Sequence, residues 1–410
     1  MKRVVVTGMG AITPVGNDVN TFWNNIITGV NGIGRITKFD TTVYKAKLAA
    51  EVKDFDPFIY LEKSEIRKSD LFSQYAIAAA SQAVEDSKIL DNIDSQRFGV
   101  YYGSGTGGLQ TGSVELEKLL TGGPKKVSPY YIPMMIANIA AGNIAIRFNA
   151  QGPCIPIVTA CATGTNAIGE AFRAIRYGYA DAIITGGSEA AITPIGVAGF
   201  TNCMALTTTE DIVAASIPFD IRRSGFVIGE GAGALVLEEY EHAIKRGAII
   251  YAEIKGYGST CDAYHITAPD PQAASSAKAI ENAIIEAQME DEEKIYINAH
   301  GTSTPLNDKS ETLAIKKALG SKANKALISS TKSMTGHMLG AAGAIEAVAA
   351  ILAMKNGIIP PTIGLLEADP ECDLDYVPIN AREAEIKLAL SVSLGFGGHN
   401  ACVAFTKVQH

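Results

Sequence analysis

The sequence contains no CxxC pair. Its six cysteines, Cys154, Cys161, Cys203, Cys261, Cys372 and Cys402, are scattered without metal-ligand spacing. This excludes a disulfide scaffold and a zinc ribbon and points to reduced thiols. There is no long apolar run. The longest charge-free stretch, between Arg147 and Glu170, is interrupted by Gly152, Pro153, Pro156 and several polar residues, so no membrane span is expected. The N-terminus carries Lys2 and Arg3 but too short an apolar stretch for a signal peptide, and the expected location is the cytoplasm. Basic charge is not in excess. The 35 Lys and Arg against 43 Asp and Glu leave a net charge of −8, which argues against nucleic acid or an anionic membrane as partner. His410, at the chain end, is assigned no role.

What is present is 410 residues, 47% of them hydrophobic, with 40 glycines. That is enough chain for a large packed core with many tight turns. Strands are expected at Val4 to Thr7, Arg97 to Gly103, Ile155 to Ala160, Ala182 to Gly187, Ile250 to Gly258, Lys294 to Asn298 and Ala326 to Ser330. Helical spacing is expected over 70–86, 129–146, 274–288, 308–319 and 340–355. Such alternation implies an α/β fold with helices covering the sheets. Two segments, 225–238 and 388–407, each read as paired strands around glycines and suggest an internal duplication, with halves 1–250 and 251–410. The glycines of Gly8-Met-Gly10 lack the third member of a dinucleotide loop and open no helix, which sets a nucleotide oxidoreductase aside.

Chemistry gathers at four expected strand ends. Cys161 stands where an apolar run hands over to a segment with a helical stripe, Ile168, Ala171, Phe172 and Ile175. A helix N-terminus favours a thiolate, so a nucleophile of lowered pKa is expected there. A second group is Asn298-Ala-His300-Gly-Thr302-Ser-Thr304. The third is Lys332-Ser-Met-Thr-Gly-His337, and the fourth Gly395-Phe396-Gly-Gly398. Taken singly, each is commonplace: a core cysteine, packing histidines, a solvated lysine, helix-capping threonines and turn glycines. Two histidines and a lysine at strand ends, in a chain with six histidines, make one shared Cys/His/His/Lys site the better reading, because ligands collect at the carboxyl ends of strands.

Thr159-Ala-Cys161-Ala-Thr-Gly, Asn298-Ala-His300-Gly-Thr-Ser-Thr304, Lys332-Ser-Met-Thr-Gly-His337 and Gly395-Phe396-Gly-Gly-His-Asn400 resemble the signatures of β-ketoacyl-acyl carrier protein synthases. The likeness is strongest to the elongating type II members and runs over essentially the whole chain, including Asp262-Ala-Tyr-His-Ile-Thr267. The resemblance implies a thiolase-type fold, two similar halves in a five-layered αβαβα arrangement, in a homodimer. It implies that Cys161 takes an acyl group from acyl carrier protein, with the N–H groups of Cys161 and Phe396 as oxyanion hole. Decarboxylation of malonyl-carrier protein then falls to His300 and His337, with Lys332 biasing the site and Glu346 supporting it. Thr302 and Thr304 would hold the phosphopantetheine arm, and Thr106, Phe200 and the gating Phe396 would line an acyl pocket. Arg67, Lys68, Lys125 and Lys126 would dock the acidic carrier. No metal and no cofactor beyond the substrates' phosphopantetheine is implied. Ser64 and Met204 stand where relatives often carry basic residues, so weaker docking is expected. Thr106 stands where an apolar residue is common, so an altered chain-length preference is expected. The alternatives are a CoA-dependent thiolase, a starter-type synthase, and a carrier-binding subunit without turnover.

Overall fold

The computed structural model describes residues 1–288 and 294–409; His410 lies outside the described residues. Ten strands form one mixed sheet: β1 (Val4–Ile12), β2 (Phe98–Gly103), β3 (Cys154–Ile155), β4 (Ala182–Glu189), β5 (Gly231–Glu239), β6 (Ala252–Cys261), β7 (Ile295–Asn298), β8 (Leu327–Ser329), β9 (Leu388–Gly395) and β10 (His399–Thr406). Their order is β3-β2-β4-β5-β1-β6-β10-β9-β7-β8. Read outward from the middle, the two halves match, β1-β5-β4-β2-β3 against β6-β10-β9-β7-β8. In both, the first two pairings are antiparallel and the last two parallel. The halves join where Val4–Val6 of β1 pairs antiparallel with Ala252–Ile254 of β6.

Helices complete five layers. α1 (Leu71–Ser87) and α2 (Ile139–Arg147) cover one half-sheet; α4 (Ala274–Ala287) and α5 (Pro305–Leu319) cover the other. Between the halves lie α3 (Thr163–Arg176) and α6 (Ala342–Asn356), each touching strands of both. A helix apolar all round needs such a place, and Ala342 to Met354 are all buried. The stretch Leu339–Asn356 is long and apolar enough for a membrane span, but 89% of it is already covered inside the fold. The glycines of β1 are packing devices. A Cβ on Gly8 or Gly10 would strike the carbonyls of Ala83 or Ala79 in α1. Gly256 and Gly258 of β6 meet Ala283 and Ala279 of α4 in the same way. Close helix-on-strand approach, repeated in the two halves, is what those glycines supply.

Three expected elements differ. The strand expected over Ile155 to Ala160 is only Cys154–Ile155; Pro156 has no N–H to continue a ladder. The helix expected over 129–146 breaks into Tyr131–Met135 and α2, with Ile136 in extended backbone between them. The paired strands expected at 225–238 are not a hairpin of the main sheet. Ile228–Gly229 joins a separate small sheet, and β5 pairs with β4 instead. The counterpart of the β9–β10 hairpin is therefore β4–β5, whose strands are separated by a long excursion in sequence.

Candidate active site

Beyond Pro156 the chain turns through a short 3₁₀ segment, Ala160–Ala162, into α3. Ala160 has φ +50°, a left-handed conformation that costs a residue with a Cβ about 1–2 kcal/mol. The turn is held by Thr159 N–H donating to Thr163 Oγ1 at 2.9 Å and Ala162 N–H to Thr159 O at 3.0 Å. It raises Cys161 at the head of a central helix, 8% exposed. The end of β9 lies against this turn. A Cβ on Gly395 would sit 3.0 Å from Thr159 O and 3.2 Å from Cys161 N, so a side chain there would crowd the turn. The N–H groups of Phe396 and of Cys161 itself both favour the charged form of the Cys161 sulfur. Two amides thus converge beside one nucleophile, the geometry of an oxyanion hole. The expected lowering of the thiol pKa is not found. Burial pushes it up to about 12, partly opposed by the positive charge of Lys332 and the Phe396 amide and reinforced by the charge of Glu189. Desolvation of the charged form outweighs the helix end in the unliganded site.

His300 follows β7. Its N–H and that of Gly301 donate to Glu311 Oε1 and Oε2 at 2.6 and 2.7 Å, so one carboxylate of α5 fixes the turn. Burial, with neighbouring Asp308, raises Glu311 to about 7 against the pull of those amides. His337 is gripped through its backbone by the Ile228–Gly229 strand. Its N–H donates to Val227 O at 2.7 Å, and its carbonyl accepts from Gly229 N–H at 2.8 Å. Leu339 N–H donates to His337 Nδ1 at 3.3 Å, which assigns the ring proton to Nε2 in the neutral form. The two imidazoles stand edge to face, 5.2 Å between centroids at 87°. Burial first, and then the charge of Lys332, hold both well below the ordinary histidine value. His300 Nδ1 is buried without a hydrogen-bond partner. Lys332, 1% exposed, is ion-paired with Glu346 of α6. The same charge that favours a thiolate at Cys161 disfavours an imidazolium at either histidine.

A cavity of about 460 Å³ unites these groups. Cys161, His300, His337, Thr302, Thr304, Phe200 and Phe396 all line it. Thr304 begins α5 without a side-chain capping bond; its hydroxyl is 2.9 Å from that of Thr302, so the pair faces the cavity free of the capping role. Lys332, Glu346 and Thr106 do not line the cavity. The Thr106 hydroxyl donates to Glu189 Oε1 at 2.7 Å. An acyl-pocket role for Thr106 is therefore not supported by its position. Arg67, Lys68, Lys125 and Lys126 are exposed, outside the cavity. Lys68 Nζ stands over the Tyr130 ring at 5.2 Å, which brings the first basic pair close to the segment carrying the second. Ser64 is exposed, and Met204, 89% exposed, lies at the cavity mouth.

Sequence reasoning missed Glu311 and Phe226. Phe226 packs edge-on against His337 at 5.1 Å and against Phe200 at 5.6 Å, a run of rings from pocket wall to imidazole. It also missed Asn400 Nδ2 donating to Asp262 Oδ1 at 2.7 Å, which ties the glycine loop after β9 to the motif at 262–267. An acid in the helix opening just after His300 was the available signal for Glu311; Phe226 gave none.

The Beta-ketoacyl synthase, N-terminal domain family matches residues 1–243, and its C-terminal domain counterpart matches 251–366. The chain is 51% identical over 409 residues to a 3-oxoacyl-[acyl-carrier-protein] synthase 2 of Staphylococcus aureus (strain N315), covering 100% of this chain and 99% of the relative. It is 52% identical over 410 residues to the protein of the same name from Synechocystis sp., again covering 100% and 99%. A solved structure described as a type II PKS acyl-carrier protein in complex with its ketosynthase bound to the hexaketide matches with TM-score 0.91, 37% identity and complete coverage of both chains.

Proposed function

The chain belongs to the β-ketoacyl synthase family, and we propose that it elongates fatty acyl chains by decarboxylative Claisen condensation on acyl carrier protein. The observation that carries this reading is the convergence of the Phe396 amide, Cys161, and two neutral histidines on one cavity. Cys161 Sγ attacks the acyl-carrier thioester and the carrier's thiol leaves with the proton. The negative oxygen of the tetrahedral species is held by the Cys161 and Phe396 amides; loss of such a donor costs roughly 10²–10³ in rate. Malonyl-carrier protein then loses CO₂. The resulting enolate oxygen accepts from His300 and from His337 Nε2, and its carbon attacks the acyl-Cys161 carbonyl. Cys161 is expelled as thiolate and reprotonated. Neutral imidazoles stabilise the developing enolate charge by N–H donation without a full proton transfer. Thr302 and Thr304 hydrogen-bond the phosphopantetheine arm; the reading calls for no other cofactor. Arg67, Lys68, Lys125 and Lys126 offer an acidic carrier an electrostatic docking surface.

A thiolase would need a second reactive thiol by the glycine loop after β9; Cys203 lines the cavity but stands at the end of the helix Pro194–Asn202. Cys402 is buried inside β10, paired opposite Gly258, and a starter-type synthase would replace His337. The homodimer is part of the proposal, supported by β3, an edge strand with exposed Cys154 and Ile155. Cytoplasmic location is also part of it, resting on the family. The test is intact-protein mass after mixing with medium-chain acyl-carrier protein, followed by malonyl-carrier protein. The wild type should gain one acyl group and discharge it as a 3-oxoacyl product, and Cys161→Ala should gain none. Loading from acyl-CoA but not from carrier protein would move the assignment to the CoA-dependent enzymes.

A further inference from the structure

The duplication leaves a second copy of the nucleophile turn. Leu339–Ala341 is a 3₁₀ segment that leads into α6 as Ala160–Ala162 leads into α3. Each opens on a left-handed residue, Leu339 at φ +48° and Ala160 at +50°. Gly340 is thus the counterpart of Cys161. The matching strand ends differ in one respect. At the end of β9, Gly395 has no side chain and leaves room by the Cys161 amide. At the end of β4, the counterpart is Glu189, whose carboxylate fills that space. Glu189 Oε2 accepts from Gly340 N–H at 3.0 Å and Gly105 N–H at 2.8 Å. Oε1 accepts from Ser104 Oγ at 2.9 Å, Thr106 N–H at 3.1 Å and Thr106 Oγ1 at 2.7 Å. All five partners donate to a fully buried carboxylate. A Cβ on Gly340 would lie 2.5 Å from Gly105 N and 2.8 Å from Glu189 Oε2, so the fit excludes any larger residue.

We propose that Glu189 is a positioning residue for His337, and that its carboxylate occupies the vestigial oxyanion position of the second half to do so. The path is short. Glu189 fixes the Gly340 amide, and with it the left-handed turn whose first residue, Leu339, aims its N–H at His337 Nδ1. That bond keeps the proton on Nε2, where the enolate needs it. A glutamine at 189 keeps the shape but sets an NH₂ against one group of N–H donors. Leu339 is then free to turn away, and His337 loses its fixed tautomer.

This rests on the condensing reading, and its signature is selective. Loading of Cys161 uses the Cys161 and Phe396 amides; only malonyl decarboxylation uses His337. The test measures both half-reactions on the full-length protein: acylation from medium-chain acyl-carrier protein by intact mass, and conversion of malonyl- to acetyl-carrier protein in the absence of acyl donor. Glu189→Gln should acylate no more slowly than wild type, since the charge it removes raises the Cys161 pKa, and should decarboxylate about tenfold or more slowly, the scale of a misplaced catalytic group. Ser104→Ala removes one donor from the other oxygen and should give a smaller loss confined to the same step; it stands in if Glu189→Gln does not fold. Equal losses in both steps, or loss in neither, overturn the proposal. Failure of either half-reaction in the wild type counts instead against the condensing reading.

Discussion

At the residue scale the site is governed by one buried cation. Lys332 is a main influence, after burial, on Cys161, His300 and His337, and it is itself balanced by Glu346. Breaking a buried pair by removing one partner typically costs about 3–5 kcal/mol, whereas replacing both by apolar groups is often neutral. Lys332→Ala should therefore lower the thermal midpoint markedly, and Lys332→Met with Glu346→Leu should restore most of it while leaving condensation impaired. Full recovery of turnover in the double variant would remove Lys332 from the chemistry. The histidines make a second prediction. Both are held below the ordinary value of about 6.5, so malonyl decarboxylation should stay level from about pH 8 to about pH 6. A free histidine would already be half charged near the lower limit. The sign for stability is the same: a histidine depressed in the fold contributes stability above the unfolded pKa and loses it as pH falls, because the unfolded chain then binds the extra proton. Thermal midpoints of wild type should fall more steeply below about pH 6.5 than those of His337→Gln, one such group having been removed.

At the scale of elements, strand ends and helix heads meet through glycine contacts. Gly395 lets β9 reach the Cys161 turn, so Gly395→Ala should push the Phe396 amide away from the sulfur and slow acylation about tenfold or more, on the scale of a misaligned oxyanion donor. Single-turnover mass measurements check it, and an unchanged rate would mean the hole forms without that contact. Elements of this kind are only partly legible in sequence. Three of the four motif turns can be read because each runs from an apolar stretch towards a helical stripe, and the fourth because its glycines join two strands, β9 and β10; the structure brings Cys161, His300 and His337 to one cavity, with the charge of Lys332 acting on all three. The left-handed residues Ala160 and Leu339 carry no local signal, since neither is glycine or asparagine; tertiary contacts impose them. The direction of the thiol shift was misread for a related reason. A helix N-terminus is visible in sequence, but the burial that outweighs it depends on both halves closing over the cysteine. Thr106 reads as a pocket residue by position and instead donates to Glu189, an acid 83 residues further along the chain that no local pattern connects to it.

At the scale of the whole molecule, the ten-stranded sheet is symmetric in order but not in its edges. β8, at one edge, leads with Ser329 directly into the Lys332 turn and has a buried end. β3, at the other, is two exposed residues, Ile155 being 43% exposed, and the stretch after it carries Val158 at 53%. A free, apolar, exposed edge is a liability that proteins cover, and in the proposed homodimer a second copy of the chain would cover it by continuing the sheet. That pairing would also buttress the segment running from β3 to Cys161, whose backbone makes few ladder bonds of its own after Pro156. Ile155→Lys sets a charge at the middle of such an interface, where burying it unpaired is costly. Sedimentation of the wild type should give twice the 43.1 kDa chain mass, and Ile155→Lys should shift toward the single chain. Because the covered edge supports the nucleophile turn, acylation should decline in step with the dimer as the variant is diluted. A variant that is monomeric yet acylates normally would show that each chain holds its Cys161 turn unaided, and that the exposed edge serves assembly alone.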